Sequence, residues 1–343
     1  MKIKREYMEL GALATLALVL LVAFPLLLGG FYLNLAGKYL SFAFVAIGIV
    51  LTWGYGGILS LGQGIFFGLG GYALAMFLKI EASGSNLPDF MIWSGIKVMP
   101  AWWAPFSNIY ITLAAIVLIP ATMAFVFSYL VFKKRVSGVY FAIVTLALAL
   151  TFTVLLVGQQ SYTGGENGIT NFTTFLGYDI YSHASTYAIY YTEIVLLLFV
   201  AMGSTAVIRS RLGNVVIAIR DREDRVRFSG YNTAAIKAFI FMLGALFASI
   251  GGAFFTIQAG LISPTVVGVT SSIEMVVYAA VGGRLSVPGA VLGALVVGFL
   301  QFYLSNNFPH IWLFFLGALF ILVVTAMPNG LMGLLDRFAL SRE

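Results

Sequence analysis

Residues 209–237 read RSRLGNVVIAIRDREDRVRFSGYNTAAIK and hold ten of the chain's 32 charged residues. From Arg220 to Arg227, seven of eight positions are charged. The 343-residue chain as a whole is 61% hydrophobic and only 9% charged, against roughly a quarter charged in soluble domains. On both sides of the stretch lie apolar runs of about 17–25 residues, the length that crosses about 30 Å of hydrocarbon. A backbone in lipid must satisfy its own polar groups, so these runs are helices rather than barrel strands. The charged stretch has to stand in water. The chain is therefore an all-α polytopic membrane protein with one large water-facing handle, suited to being gripped by another protein.

Hydropathy places ten segments, at about 11–31, 39–54, 58–78, 109–131, 139–157, 190–208, 238–258, 273–282, 288–305 and 311–327. The eighth is short for a span and reads as a half-helix or a tilted continuation. The first follows Lys2, Lys4 and Arg5 but has no A-x-A site after it, so it is an uncleaved helix rather than a signal peptide. With the N-terminus inside, 16 of the 19 basic residues fall in the pieces 1–10, 55–57, 132–138, 209–237, 283–287 and 328–343. Only Lys38, Lys79 and Lys97 fall outside. Basic residues concentrate on the cytoplasmic side, which puts both termini and the handle there. The same distribution explains the net charge of +6 without nucleic acid. The long outer connections are 80–108 and 158–189; Trp93, Trp102 and Trp103 in the first suit an interfacial aromatic belt.

The chain has no cysteine and two histidines, His183 and His310, both in outer connections. Neither a disulfide framework nor a metal site is expected, and no cofactor. There is no G-x-x-x-x-G-K-[ST] phosphate loop and no hydrolase motif, so the chain is not expected to be an enzyme. Glu193 and Glu274 are the acids near the apolar segments. Each falls within about a turn of an expected helix start, where the helix dipole favours an acid. A lining role for Glu274 stands beside that reading.

Residues 54–75, GYGGILSLGQGIFFGLGGYALA, contain eight glycines in 22 positions. Gly64 and Gly68 form a G-x-x-x-G packing face, as do Gly289 and Gly293. Such density also permits an unwound helix, where transporters expose backbone to solute. Ser60 and Gln63 fit helix–helix hydrogen bonding and pore lining equally. Residues 282–298, GGRLSVPGAVLGALVVG, repeat the GGxLS pattern of 56–60. In the handle, Leu212, Val215, Val216 and Ile219 make one apolar helical stripe, expected to bury itself in a partner's groove or the membrane interface. The acids Asp221, Glu223 and Asp224 among Arg220 and Arg222 favour a protein partner over a lipid patch.

Several passages, in order, resemble one family. They are GYGGILSLGQGIFFGLGGYA at 54–73, TGGENGIT at 163–170, AIRDREDRVRFSGYN at 218–232, ISP at 262–264 and VGGRLSVPGAVLGA at 281–294. Over roughly 38–330 the chain is similar to the membrane permeases of ABC importers for branched-chain amino acids, urea and amides. LPDFMIWSGIKVMP at 87–100 and SSIEMVVYAAVGG at 271–283 resemble the urea-type branch.

The resemblance implies a single permease domain over 1–343, in a bacterial inner membrane. It pairs as a heterodimer with a second permease, above two ATP-binding subunits and below a soluble solute-binding protein. The solute would be urea or a short amide; branched-chain amino acids, or a stand-alone channel or carrier for a small neutral solute, are the alternatives. The handle would be the coupling element, carried by Leu212, Val215, Val216, Ile219, Arg220, Asp221, Arg222, Glu223, Asp224 and Gly230. The family's E-A-A-x-x-x-G pattern stands here as Asp224-Arg225-Val226-x-x-x-Gly230, with the glycine kept and the alanines lost. Ser60, Gln63, Thr145 and Glu274 would line the pathway, Gln63 standing where relatives often carry His. Thr163, Gly164, Gly165, Glu166 and Asn167 would meet the binding protein.

Overall fold

A computed structural model describes residues 2–327 and 330–333. Most of the expected cytoplasmic piece 328–343, with Arg337 and Arg342, lies outside the described residues. Among the described residues, eleven helices of 14 residues or more carry the chain: α1 (Lys2–Leu18), α2 (Gly30–Ile49), α3 (Gln63–Ser83), α4 (Ile109–Lys133), α5 (Val139–Gly158), α6 (His183–Arg209), α7 (Arg211–Phe228), α8 (Thr233–Ala259), α9 (Val269–Gly282), α10 (Val287–Asn307) and α11 (Trp312–Ala326). Helix α1 continues through a wider turn at Val19–Ala23 into Phe24–Leu27, and α2 through Val50–Tyr55. Among the described residues, seven helices have the length and composition to cross a membrane. Three apolar helices are shorter, Gly11–Leu27, Val269–Gly282 and Trp312–Val323. The chain is all-α and polytopic, as expected.

The helix bounds differ from hydropathy where polar residues enter a helix. Helix α6 starts at His183, not 190, capped by Ser182, whose Oγ accepts the Ser185 N–H at 3.2 Å. Glu193 therefore lies well inside the helix. Helix α9 starts at Val269, which puts Glu274 in its second turn. The helix-end explanation of both acids falls, because hydropathy could not register the polar first turns. The first segment ends early too: Leu28 is extended (φ −95°, ψ 131°) and α2 begins at Gly30.

Helix α8 packs along α2, α3 and α4 and is the centre of the molecule. The apolar window of the Gly30–Tyr55 span is 89% buried, that of α4 only 22%. The first is a core element, and the second faces outward with apolar side chains that suit lipid or another membrane subunit. Small residues let the central helices touch: Gly70 rests on the Ser249 backbone and Gly252 on that of Phe67. The two expected packing faces are used as well. A Cβ on Gly64 would stand 2.6 Å from the Val267 carbonyl, and one on Gly289 2.5 Å from that of Gly282.

At the end away from the handle, the long connections are tied down. Ile169–Thr170 pairs antiparallel with Leu261–Ile262, Ile169 opposite Ile262. Lys79 was expected in a connection. It is instead a buried residue near the end of α3, pairing with Asp89 at 2.9 Å and donating to the Thr170 carbonyl at 3.1 Å. Glu81 accepts the backbone N–H groups of Leu176 (3.1 Å) and Gly177 (2.6 Å). Trp103 Nε1 donates to the Tyr162 carbonyl at 3.1 Å, while Trp93 and Trp102 are exposed.

Candidate functional site

The first glycine passage breaks its helix. After Tyr55 the chain turns with Gly57 at φ +67°, and α3 begins only at Gln63. The backbone donors freed at such a break need partners, and side chains supply them. The Leu61 N–H donates to Thr145 Oγ1 at 3.1 Å, the Gly62 N–H to Ser60 Oγ at 3.3 Å and the Gly64 N–H to Ser272 Oγ at 3.1 Å. Ser60, Gln63 and Thr145, from two distant parts of the sequence, thus meet in one buried spot.

Gln63 is the exception in that spot. Its side chain is buried, yet among the described residues neither Nε2 nor Oε1 has a hydrogen-bond partner. A buried unpaired amide costs about 1–3 kcal/mol. Ser272 was missed by sequence reasoning; its only signal was the serine pair that opens the short ninth helix.

A second break faces the first. The chain between α8 and α9 runs as Leu261–Ile262, then the turn Pro264–Val267, before α9 starts. Val267 and Ser272 lie against Gly64, so the N-terminal ends of α3 and α9 converge. Glu274 does not join the group. It is hydrogen-bonded to Gln301 of α10, which also accepts the Tyr278 hydroxyl at 3.0 Å.

At the handle's end the two GGxLS passages come together. The Tyr55 hydroxyl donates to the Leu285 carbonyl at 2.9 Å, and the Arg284 guanidinium lies 5.8 Å from the Trp53 ring centre. Pieces expected on one side of the membrane, at 55–57, 209–237 and 283–287, are therefore neighbours.

Helix α7 is capped by Ser210, whose Oγ accepts the Gly213 N–H at 3.3 Å. Its apolar stripe is present, but its cover is not the expected one. Val216 and Ile219 are buried and Leu212 partly so, with Val216 and Leu212 packed on Leu51 and Ile240 of the chain's own helices. Periodicity shows that a face will be buried, not by what. The helix kinks at Arg222 (φ −152°, ψ 77°). Beyond the kink, Glu223 accepts from Lys237 at 3.1 Å, Thr233 at 3.1 Å and Arg227 at 3.2 Å. Burial alone would raise the Glu223 carboxyl, but Lys237, Thr233 and Arg227 outweigh it and hold it below the ordinary range. Asp221 pairs with Arg220 at 3.0 Å, while Arg222 and Asp224 stay exposed. Gly230 turns the chain at φ +88°, which is why the glycine of the pattern is kept. Phe228, 92% exposed at the tip, was not singled out by the sequence.

In TGGENGIT, Thr163 Oγ1 donates back to the Leu156 carbonyl near the end of α5 at 2.6 Å. Thr163, Gly164 and Gly165 are buried, and only Glu166 and Asn167 of the five candidates are exposed.

The family described as branched-chain amino acid transport system, permease component, matches residues 31–324. The chain belongs to this family. Among curated relatives, the permease is similar to the high-affinity branched-chain amino acid transport system permease protein LivM of Escherichia coli. The two are 23% identical over 337 residues, 92% of this chain and 73% of LivM. LivH of the same organism is 28% identical over 201 residues, covering 56% of this chain and 64% of LivH. BraD of Pseudomonas aeruginosa, a permease of the same description, is 23% identical over 305 residues, 85% and 92% of the two chains. No solved structure matches the permease. Membership makes the chain a multi-pass inner-membrane protein and an ABC importer permease, a transport subunit rather than an enzyme.

Proposed function

We propose that this permease forms the pathway for a small uncharged polar solute, urea or a short amide. The observation that carries the reading is the unpaired Gln63 carboxamide, buried at a helix break beside Ser60 and Thr145. A carboxamide offers two donors and an acceptor, which complements a solute that both donates and accepts. None of the side chains that take up the Leu61, Gly62 and Gly64 amides is charged, and a neutral solute needs no counter-charge in a medium where charge is expensive. Ser60, Gln63 and Thr145 would touch the solute. Glu274, tied to Gln301, would line a different part of the path.

The solute would arrive from a binding protein docking on Glu166 and Asn167. Energy would come from two ATPase subunits gripping the cytoplasmic handle at Arg222, Asp224 and Phe228, with a second permease completing the membrane unit. ATP binding and hydrolysis shift such a pair between inward- and outward-open states only through different affinities for the two.

Branched-chain amino acid import is the second reading. It is favoured by the converging N-terminal ends of α3 and α9, since paired helix N-termini suit a carboxylate, and by the branched-chain amino acid transport of the relatives. Uptake of labelled urea and leucine by the reconstituted four-subunit assembly with its binding protein separates the two. Saturable, ATP-dependent urea uptake that leucine does not inhibit is expected; leucine uptake with none of urea would overturn the first reading. Flux through this chain alone, without ATP, would overturn both.

A further inference from the structure

The sequence presents Arg220 as one charge in a run that faces water, available to a partner. The residue stays exposed, but its guanidinium folds back onto the chain. Its Nη1 donates to the Gly54 carbonyl at 2.8 Å, across 166 positions of sequence, and its Nε is held by Asp221 at 3.0 Å. The aliphatic stem lies on Gly57, where a Cβ would stand 2.7 Å from Arg220 Cγ, at a backbone φ of +67°. Gly54 in turn sits against the Arg284 backbone, and Tyr55 is bonded to Leu285. Handle, first glycine passage and second glycine passage thus meet at one guanidinium. Arg220 also lines two pockets, one of about 260 Å³ with Glu223 and Lys237, the other of about 600 Å³ with Leu59 and Leu61 of the unwound segment.

We infer that Arg220 is a positioning residue that joins the handle to the backbone of the helix break, so that the seat of Ser60 and Gln63 moves with α7. The inference rests on the proposed function only for its transport readout. A carbonyl in the last turn before a break lacks its helical N–H partner, and a guanidinium is the side chain that caps it most firmly. The bond is charge-assisted, hence shorter and stronger than a neutral one, and its rigid fork loses little freedom on binding. Glu223, Asp224 and Arg227 are engaged within the handle or with Thr233 and Lys237 of α8. Val216 also packs on Leu51 and Tyr55, an apolar contact that resists separation but sets no register.

The chain has no cysteine, so spin labels at Leu59→Cys, on the break, and Asn214→Cys, on the handle, read one distance in the full-length protein. Arg220→Ala is expected to broaden or shift that distance distribution. Arg220→Lys, which keeps the charge but loses the planar fork that reaches Gly54 and Asp221 together, is expected to fall between. An unchanged distribution with Arg220→Ala overturns the inference; should that variant fail to insert, an unchanged distribution with Arg220→Lys does so. In the reconstituted importer, solute moved per ATP hydrolysed should fall about ten-fold in Arg220→Ala, the scale of one lost charge-assisted hydrogen bond, and recover in part in Arg220→Lys. Equal coupling in all three proteins also overturns it. A preparation that shows the label effect but moves neither urea nor leucine in any form supports the link and overturns the solute reading.

Discussion

Gln63 separates stability from function at a single side chain. Removing a partnered buried polar group normally costs stability, whereas removing an unpartnered one relieves a desolvation cost. Gln63→Leu is therefore expected to leave thermal unfolding in detergent unchanged or raised, while solute uptake falls at least about ten-fold, the loss of one hydrogen bond to a bound solute. A variant that unfolds earlier and transports normally would remove Gln63 from the pathway. Glu223 gives the opposite case, a fully partnered carboxylate. Its value lies below the ordinary 4.5, so its anchoring of α7 to α8 is complete above that pH and is lost as pH falls through the lowered value. Amide exchange in α7 should accelerate over that acid range in the unaltered protein, and Glu223→Gln should show fast exchange already at neutral pH. At this scale the sequence singled out Ser60, Gln63 and Thr145 by polarity alone. It did not separate them from Glu274, nor find Ser272, because their grouping is made by hydrogen bonds between segments up to 208 positions apart.

Two elements decide how the permease is organised. The unwound segment before α3 exists because glycine loses little by leaving the helix and neighbouring hydroxyls take up the freed amides. It was legible as a glycine cluster, but its bounds were not: the helix was expected from 58 and begins at Gln63. Helix α7 was legible as an amphipathic stretch. Its stripe turned out to be the chain's own packing face, which leaves the charged tip beyond the kink as the surface for a partner. Arg222→Glu is expected to leave insertion intact and to uncouple ATP hydrolysis from uptake. Normal uptake with full stimulation of the ATPase would sink the assignment of this tip. Phe228→Ala should weaken association with the ATPase subunits about ten-fold or more, since a fully exposed aromatic of a monomer becomes an anchor when a partner covers it. Pull-down from detergent measures it, and undiminished association removes Phe228 from the contact.

For the whole molecule, the distribution of 16 of 19 basic residues predicts the handle in the cytoplasm and the tied-down connections outside. Single cysteines at Asn214 and Asn167 should be labelled by a membrane-impermeant maleimide from opposite sides of oriented vesicles; labelling from one side would overturn the topology. The sequence by itself determined that the chain is helical, crosses the membrane repeatedly, carries one charged handle and contains two glycine passages. Length, apolar composition and charge bias are local or additive properties, and a membrane allows few structures to satisfy them. Only the tertiary structure decided that Glu193 and Glu274 are not helix-end acids, that Lys79 is buried on Asp89, and that Gln63 is left without a partner. It alone set the guanidinium of the exposed Arg220 on the Gly54 carbonyl. Each of these depends on which distant segment supplies a donor or a cover, and that is settled by packing the helices together, not by the pattern along any one of them.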